Sequence, residues 1–205
     1  AAVEAHDGFI GVNAPASGVY NDDYHCIHMG YGVDERVQVP YILGEGGVDV
    51  HLLGKVADVC ANRFGESESI VDTAEVLKRT LELASRPGTG FICANVQETD
   101  LMGHRENVLG YAEKLTVADG VIGKIRLSLA PEDVLVVQAD HGNDPTIGHP
   151  HHTREYVPLL IAHDGAPVGC IGTRATLSDV GASAADYFGC PAPQNGTSFW
   201  TQIRG

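Results

Sequence analysis

The chain has 205 residues, 43% of them hydrophobic and 20% charged, enough to bury the core of one full domain with a small appendage. Its formal net charge of −14 argues against nucleic acid or an anionic membrane surface as a partner, because both carry negative charge themselves. No apolar run approaches the roughly 20 residues of a membrane helix, and no basic-then-apolar leader opens the chain.

In chain order, residues 1–39 are rich in Gly, Asn, Asp, Tyr and His and show no sustained helical or strand period. From Pro40 the pattern becomes regular. Val48–Leu53 reads as a strand, and Ile70–Ala84 as a helix with Val71, Ala74, Leu77, Leu81 and Ala84 on one face. Gly90–Val96 is the next strand. A long helix follows over Asn107–Leu129, with Val108, Tyr111, Leu115, Ala118, Ile122, Ile125 and Leu129 stepping by three and four. Val134–Ala139 and Val157–His163 are further strands, and Leu177–Phe188 is a last helix closed by Gly189. Alternating strands and helices predict an α/β fold, a mostly parallel sheet flanked by helices.

The five cysteines, at positions 26, 60, 93, 170 and 190, form neither CxxC pairs nor a dense disulfide framework. They read as reduced thiols of a cytoplasmic protein.

Two strand ends carry the chemistry. The apolar run Val134-Leu135-Val136-Val137-Gln138 leads into Asp140-His141-Gly142-Asn143-Asp144, and His152 returns eleven residues after His141. Upstream, the strand at Phe91–Val96 is followed by Asp100 and His104. Open α/β sheets build their sites at the carboxyl ends of strands. An isolated Asp-His pair is usually solvated, but two such endings suggest a dinuclear metal centre assembled from loops. Mixed Asp/His sets suit Zn or Mn; all-oxygen sets suit Mg or Ca. His149 and His151 are either additional ligands or ordinary loop histidines. Lys55 follows a strand and is either a plain solvated lysine or a ligand-facing one, Gly54 allowing close backbone approach. Arg154-Glu155 reads as an ion pair that positions His152.

These residues also fit a family pattern. Asp140-His141-Gly142-x-Asp144-Pro145-Thr146, followed by His152-Thr153-Arg154-Glu155-Tyr156-Val157-Pro158, resembles the signature of phosphopentomutases, which belong to the alkaline phosphatase superfamily of two-metal phosphoryl-transfer enzymes. Gly54-Lys55-Val56-Ala57-Asp58, Thr89-Gly90-Phe91-Ile92, Asp100-x-x-Gly103-His104-Arg105 and the closing Gly196-Thr197-Ser198-Phe199 extend the resemblance, which covers about Val39 to Phe199. The cofactor-independent phosphoglycerate mutases share the metal half of the pattern.

The resemblance implies an alkaline-phosphatase-like core over residues 40–205, with residues 1–39 as the remnant of a cap domain and a linker. It implies that Asp100, His104 and His152 hold one divalent ion, Mn by resemblance with Zn or Mg as alternatives. Asp140 and His141 hold half of a second site, and Lys55 contacts a substrate phosphate. The substrate class is a small phosphorylated sugar, and the reaction a phosphoryl shift between its positions through a phosphothreonine. The threonine nucleophile and a further aspartate are expected upstream of this chain, which then reads as a carboxyl-terminal piece with little activity by itself. Two departures qualify this. His149-Pro150-His151-His152 replaces a family Gly-Thr-Asp-His run, and Asn21-Asp22-Asp23-Tyr24 stands where a phosphate-binding arginine is expected. A phosphoglycerate-mutase-like or phosphatase activity is the alternative chemistry, and a non-catalytic metal-binding regulatory or interaction module the alternative class.

Overall fold

The structure is a computed structural model that describes residues 3–6, 9–12, 33–164, 166 and 169–204. The expectation for Asn21-Asp22-Asp23-Tyr24 and the Cys26 thiol lie outside the described residues. The chain divides into two compact units, residues 1–30 and 31–205. In the first, β1 (Val3–His6) and β2 (Phe9–Val12) form an antiparallel hairpin with Val3 opposite Val12. Strands of four residues are too short to show a period in sequence.

The second unit opens with a 3₁₀ turn, Glu35–Val37, capped by the Asp34 side chain, and α1 (Val39–Glu45), which has Pro40 in its first turn. Proline is tolerated there because the first N–H groups of a helix have no intrahelical partner.

The unit is organised around β3 (Asp49–Gly54). Val50, Leu52 and Leu53 are at most 1% exposed, so this strand is covered on both faces. It pairs in parallel with β4 (Glu66–Glu68) on one edge and β5 (Gly90–Asn95) on the other. Successive side chains point to opposite faces. Leu53 therefore packs with Val76, Leu77 and Leu83 of α3 (Thr73–Ala84) and Ala118 of α5 (Val108–Ser128). Val50 and Leu52 pack with Leu43 of α1 on the other side. A parallel sheet flanked by helices is thus present.

Three expectations change in detail. Asp72 caps α3 by accepting the Glu75 N–H at 2.9 Å, so the helix starts at Thr73 instead of Ile70. Its buried face is Thr73, Val76, Leu77 and Leu83, while Val71 and Ala74 are exposed. Two threonines on the inner face hid this stripe; Thr80 satisfies its hydroxyl on the Val76 carbonyl at 2.7 Å. Along α5, Val108 and Leu115 point outward, and burial falls on Ala118 and Ile125. Finally, β6 (Val134–Gln138) and β7 (Leu159–His163) form an antiparallel ribbon with Val136 opposite Ile161. Residues 139–158 contain no helix, and without a crossover element the chain returns antiparallel.

The short α2 (Lys55–Val59) and α4 (Glu98–His104) follow β3 and β5 directly. The carboxyl end, α6 (Ser178–Tyr187) and α7 (Trp200–Ile203), is held by a buried polar knot. Asp179, 2% exposed, accepts from Arg174 Nε and the Thr197 N–H, both at 2.8 Å. Ser183 Oγ accepts the N–H of buried Phe199 at 2.8 Å. Gly189 ends α6 with φ 67°, as the sequence predicts. Cys60, Cys93, Cys170 and Cys190 are unpaired, and among the described residues no helix is long and apolar enough to cross a membrane.

Asp179→Ala would leave the Thr197 N–H and the largely buried Arg174 guanidinium without their acceptor. It is expected to lower stability by about 3 kcal/mol in urea unfolding, with Asp179→Asn losing less.

Candidate metal centre

The in-register pairing of β3 and β5 sets Gly54 beside Asn95, so the chain leaves both strands at one edge of the sheet. Gly54 has φ 77°, and a Cβ there would lie 2.4 Å from the Asn95 carbonyl oxygen. Only glycine permits this approach, and Lys55 enters at the first position of α2 as a result.

On the β5 side, α4 carries Asp100, Gly103 and His104. The spacings of three and four place all of them on one helix face. This seven-residue helix is tied down by Glu98. Its Oε2 accepts from Lys114 Nζ of α5 at 2.7 Å and from the Thr73 N–H of α3 at 2.8 Å. The Lys114 ammonium, and then the Thr73 N–H, hold the Glu98 carboxyl well below the usual range, at about 2.

Beyond β6, the strand end supplies Asp140 and His141, and an isolated antiparallel bridge between Gly142 and Thr153 folds the loop back so that His152 faces them. Glu155 packs against Gly142, where a Cβ would lie 2.5 Å from its carboxyl carbon. Thr153 Oγ1 donates to Glu155 at 2.7 Å. The expected Arg154–Glu155 ion pair is not found among the described residues; the threonine is the partner of Glu155.

Four of the expected residues meet. His152 Nε2 lies 3.1 Å from Asp100 Oδ1 and 3.2 Å from His104 Nε2, and His104 Nε2 lies 3.3 Å from Asp100 Oδ2. The His141 ring stacks on His152 with centroids 3.6 Å apart, its Nε2 3.9 Å from Asp100 Oδ1. Backbone carbonyls fix which ring nitrogens look inward. His104 Nδ1 donates to the Pro150 carbonyl at 2.6 Å, and His141 Nδ1 to the Gly142 carbonyl at 3.2 Å. Both rings thereby turn Nε2 toward the centre, and a neutral imidazole that donates from Nδ1 has at Nε2 the lone pair a cation requires. Ligand atoms about 2.1 Å from a tetrahedral ion lie about 3.4 Å from one another. The spacings of 3.1 to 3.3 Å among Asp100, His104 and His152 are of that order, with Asp100 turning Oδ1 to His152 and Oδ2 to His104. Asp100, His141 and His152 each offer a single ligand atom within 4.8 Å of the other two.

Asp140 sits to one side, largely exposed, with Oδ1 3.8 Å from His141 Nε2. Lys55 lines a cavity of about 280 Å³ together with Asp140, His141, Asp100, His152 and Tyr111. The Tyr111 phenol is pushed up by burial and by the carboxylates of Glu155, Asp100 and Asp144, so it faces the cavity as a neutral hydroxyl. His149 and His151 pair with each other, ring centroids 5.6 Å apart, and His149 Nδ1 accepts the His151 N–H at 3.2 Å. Neither belongs to the group of side chains whose ligand atoms converge.

Asn143 and Glu98 were not singled out from sequence. Asn143 stands inside the Asp-His-Gly-Asn run, but nothing local marks its partner, Asp100, 43 residues earlier.

Residues 13–192 match the metalloenzyme superfamily. The chain belongs to that superfamily. It is 41% identical over 163 residues to a phosphopentomutase of Symbiobacterium thermophilum, covering 78% of this chain and 42% of the relative. A phosphopentomutase of Deinococcus radiodurans is 37% identical over 164 residues, with 79% and 42% covered. The chain thus spans less than half the length of these relatives. A solved structure of Leishmania mexicana phosphoglycerate mutase at low cobalt concentration superposes with a TM-score of 0.60 over 78% of this chain and 38% of that one, at 18% identity. That likeness is one of fold.

Since the folded pKa of Glu98 lies below that of an unfolded glutamate, roughly 4.3, its contribution is fully present above that value and is lost as pH falls toward about 2. Glu98→Gln is therefore expected to be less stable than the parent by about 1 kcal/mol at pH 7. The gap should close between about pH 4.5 and 2 in urea titrations. A gap independent of pH would show that the charge of Glu98 contributes nothing.

Proposed function

We propose that this chain forms the metal-binding part of a two-metal phosphomutase of the phosphopentomutase type, which moves a phosphoryl group between positions of a small sugar phosphate. The observation that carries the reading is the convergence of Asp100, His104 and His152 at spacings that suit a divalent ion, in a chain about 40% identical to phosphopentomutases. Asp100, His104 and His152 hold the tighter ion, with Mn first and Zn or Mg as alternatives. Asp140 and His141 contribute to a second, looser site, since His141 Nε2 leans toward both carboxylates. A bound divalent ion supplies charge stabilisation for a transferring phosphoryl group and lowers the pKa of an attacking oxygen.

The chain's own residues would do the rest. Lys55, which lines the same cavity as the histidines, binds a phosphate oxygen as a point charge. Tyr111 offers a neutral hydroxyl to a sugar oxygen, and the half-enclosed cavity limits water at the reacting group. The hydroxyl nucleophile lies outside these 205 residues in this reading. Thr99 donates to the Val96 carbonyl, Thr146 to Asp144 and Thr153 to Glu155. Among the described residues no serine or threonine hydroxyl is hydrogen-bonded to Asp100, His104, His141 or His152.

A Mn titration and a mutase assay test this together. The 205-residue chain is expected to take up one Mn tightly and a second weakly, and to leave ribose 1-phosphate and ribose 5-phosphate unconverted. Asp100→Ala and His152→Ala should each weaken the tighter site at least tenfold. Absence of Mn uptake would overturn the metal assignment, and robust turnover would place the nucleophile within this chain.

A further inference from the structure

The shortest hydrogen bond to the Asp100 side chain comes from a residue that is not one of the expected ligands. Asn143 Nδ2 donates to Asp100 Oδ1 at 2.7 Å and lies 3.3 Å from the Asp100 carbonyl oxygen. The amide sits in a notch. A Cβ on Gly103, one helical turn after Asp100, would fall 2.1 Å from Asn143 Oδ1 and 2.3 Å from its Cγ. Gly103 is buried within α4, so the helix cannot yield there without moving Asp100 and His104 with it. A glycine in the middle of a helix costs up to about 1 kcal/mol relative to alanine, and here the missing Cβ is the space the Asn143 amide fills.

We infer that Asn143, seated over Gly103, is a positioning residue that sets the rotation of the Asp100 carboxylate for cation binding; this rests on the metal reading above. An ionised carboxylate has about four acceptor positions and turns readily about its terminal torsion. Asp100 is surrounded by His104, His141 and His152, whose Nε2 atoms lie 3.3, 3.9 and 3.1 Å from one or other of its oxygens, so nothing among the rings alone selects one rotation. The Asn143 amide occupies one acceptor position of Oδ1. That leaves the remaining lone pairs of the carboxylate directed at the space bounded by His104 Nε2 and His152 Nε2. An amide suits this role better than a cation. It orients the oxygen while leaving the full negative charge of Asp100 for the ion. The same bond spans from the loop after β6 to the helix after β5, so it also fixes the distance between the two groups of candidate ligands.

The alternative is a plain latch between two loops, with no bearing on the ion. Four versions of the 205-residue chain separate the two: the parent, Asn143→Ala, Gly103→Ala and the double variant. Each is titrated with Mn(II), followed by loss of the free-ion electron paramagnetic resonance signal, and each metal-free protein is melted in parallel. Asn143→Ala is expected to weaken the tighter site about ten- to hundredfold. Gly103→Ala, which keeps the asparagine but displaces it, should do the same. In the Asn143→Ala background, Gly103→Ala should have no further effect, because the added methyl then meets empty space; such non-additivity marks a shared mechanism. Unchanged Mn affinity in Asn143→Ala, with or without a lower melting temperature, overturns the inference in favour of the latch, as do additive effects. Should Asn143→Ala fail to fold, Gly103→Ala alone decides, since it retains every polar group. A parent chain that takes up no Mn overturns the metal reading itself, and is told apart because it shows in the unmodified protein.

Discussion

Asp100 and His104 reach the centre on a seven-residue helix, a length that does not hold together by itself in water. The anchoring of α4 by Glu98 is therefore the constraint on which the centre depends. One carboxylate oxygen receives the first free N–H of α3 and the ammonium of Lys114 from α5, so three helices are fixed at the point where the chain leaves β5. Hydrogen bonds of this charge-assisted kind are about twice as strong as neutral ones. With the start of α4 fixed, helical geometry alone brings Asp100, Gly103 and His104 to one face. The orientation of the face follows from the β3–β5 register, which ends both strands at the same level.

The histidines are oriented by backbone carbonyls. Pro150 and Gly142 accept from the Nδ1 atoms of His104 and His141, and the chain turns two Nε2 atoms inward without using another charged side chain. That economy suits a chain with a net charge of −14, where further carboxylates around the rings would favour imidazolium over a metal-ready imidazole. The Gly142–Thr153 bridge and the packing of Glu155 against Gly142 turn an eleven-residue excursion into a defined return. His152 then arrives stacked on His141 instead of trailing into solvent.

Much of this was legible in the sequence where it is encoded locally. Apolar runs mark β3, β5, β6 and β7, the helical spacing marks α3 and α5, and Gly189 marks the end of α6. An aspartate and histidine after each of two strands marked the residues that meet. What escaped was either short or relational. The hairpin of four-residue strands, α1, α2, β4 and α7 each offer at most two periods to read. The inner face of α3 differs from the expected one because Thr73 and Thr80 count as polar in sequence; Thr80 bonds the Val76 carbonyl, and Thr73 is 1% exposed. The antiparallel return of β7 depends on the absence of a crossover helix in residues 139–158, a stretch read in sequence for its candidate ligands Asp140, His141 and His152. Asn143 and Gly103 gain their meaning only from each other, 40 positions apart along the chain, and the sequence carries no mark of that pairing.

The two halves of the centre stand on different sheets. Among the described residues β6 and β7 pair only with each other, while β5 pairs only with β3. Leu135, Val136 and Val137 are as apolar as the residues of β3 yet remain half-buried, as does most of β5, so neither strand has the cover that β3 has. No continuous ladder of hydrogen bonds therefore sets the distance from Asp100 to His141 and His152. That distance rests on side-chain and loop contacts: Asn143 to Asp100, His104 to Pro150, and the close approach of His152 to both residues of α4. A cation held between Asp100, His104 and His152 would add a link of the same kind, from one sheet's loops to the other's. Its binding energy would then count toward the stability of the folded state, because the unfolded chain has no such arrangement to offer. In this fold the candidate metal site belongs to the architecture as much as to the chemistry: the elements that would hold an ion are also those that join the ribbon to the parallel sheet.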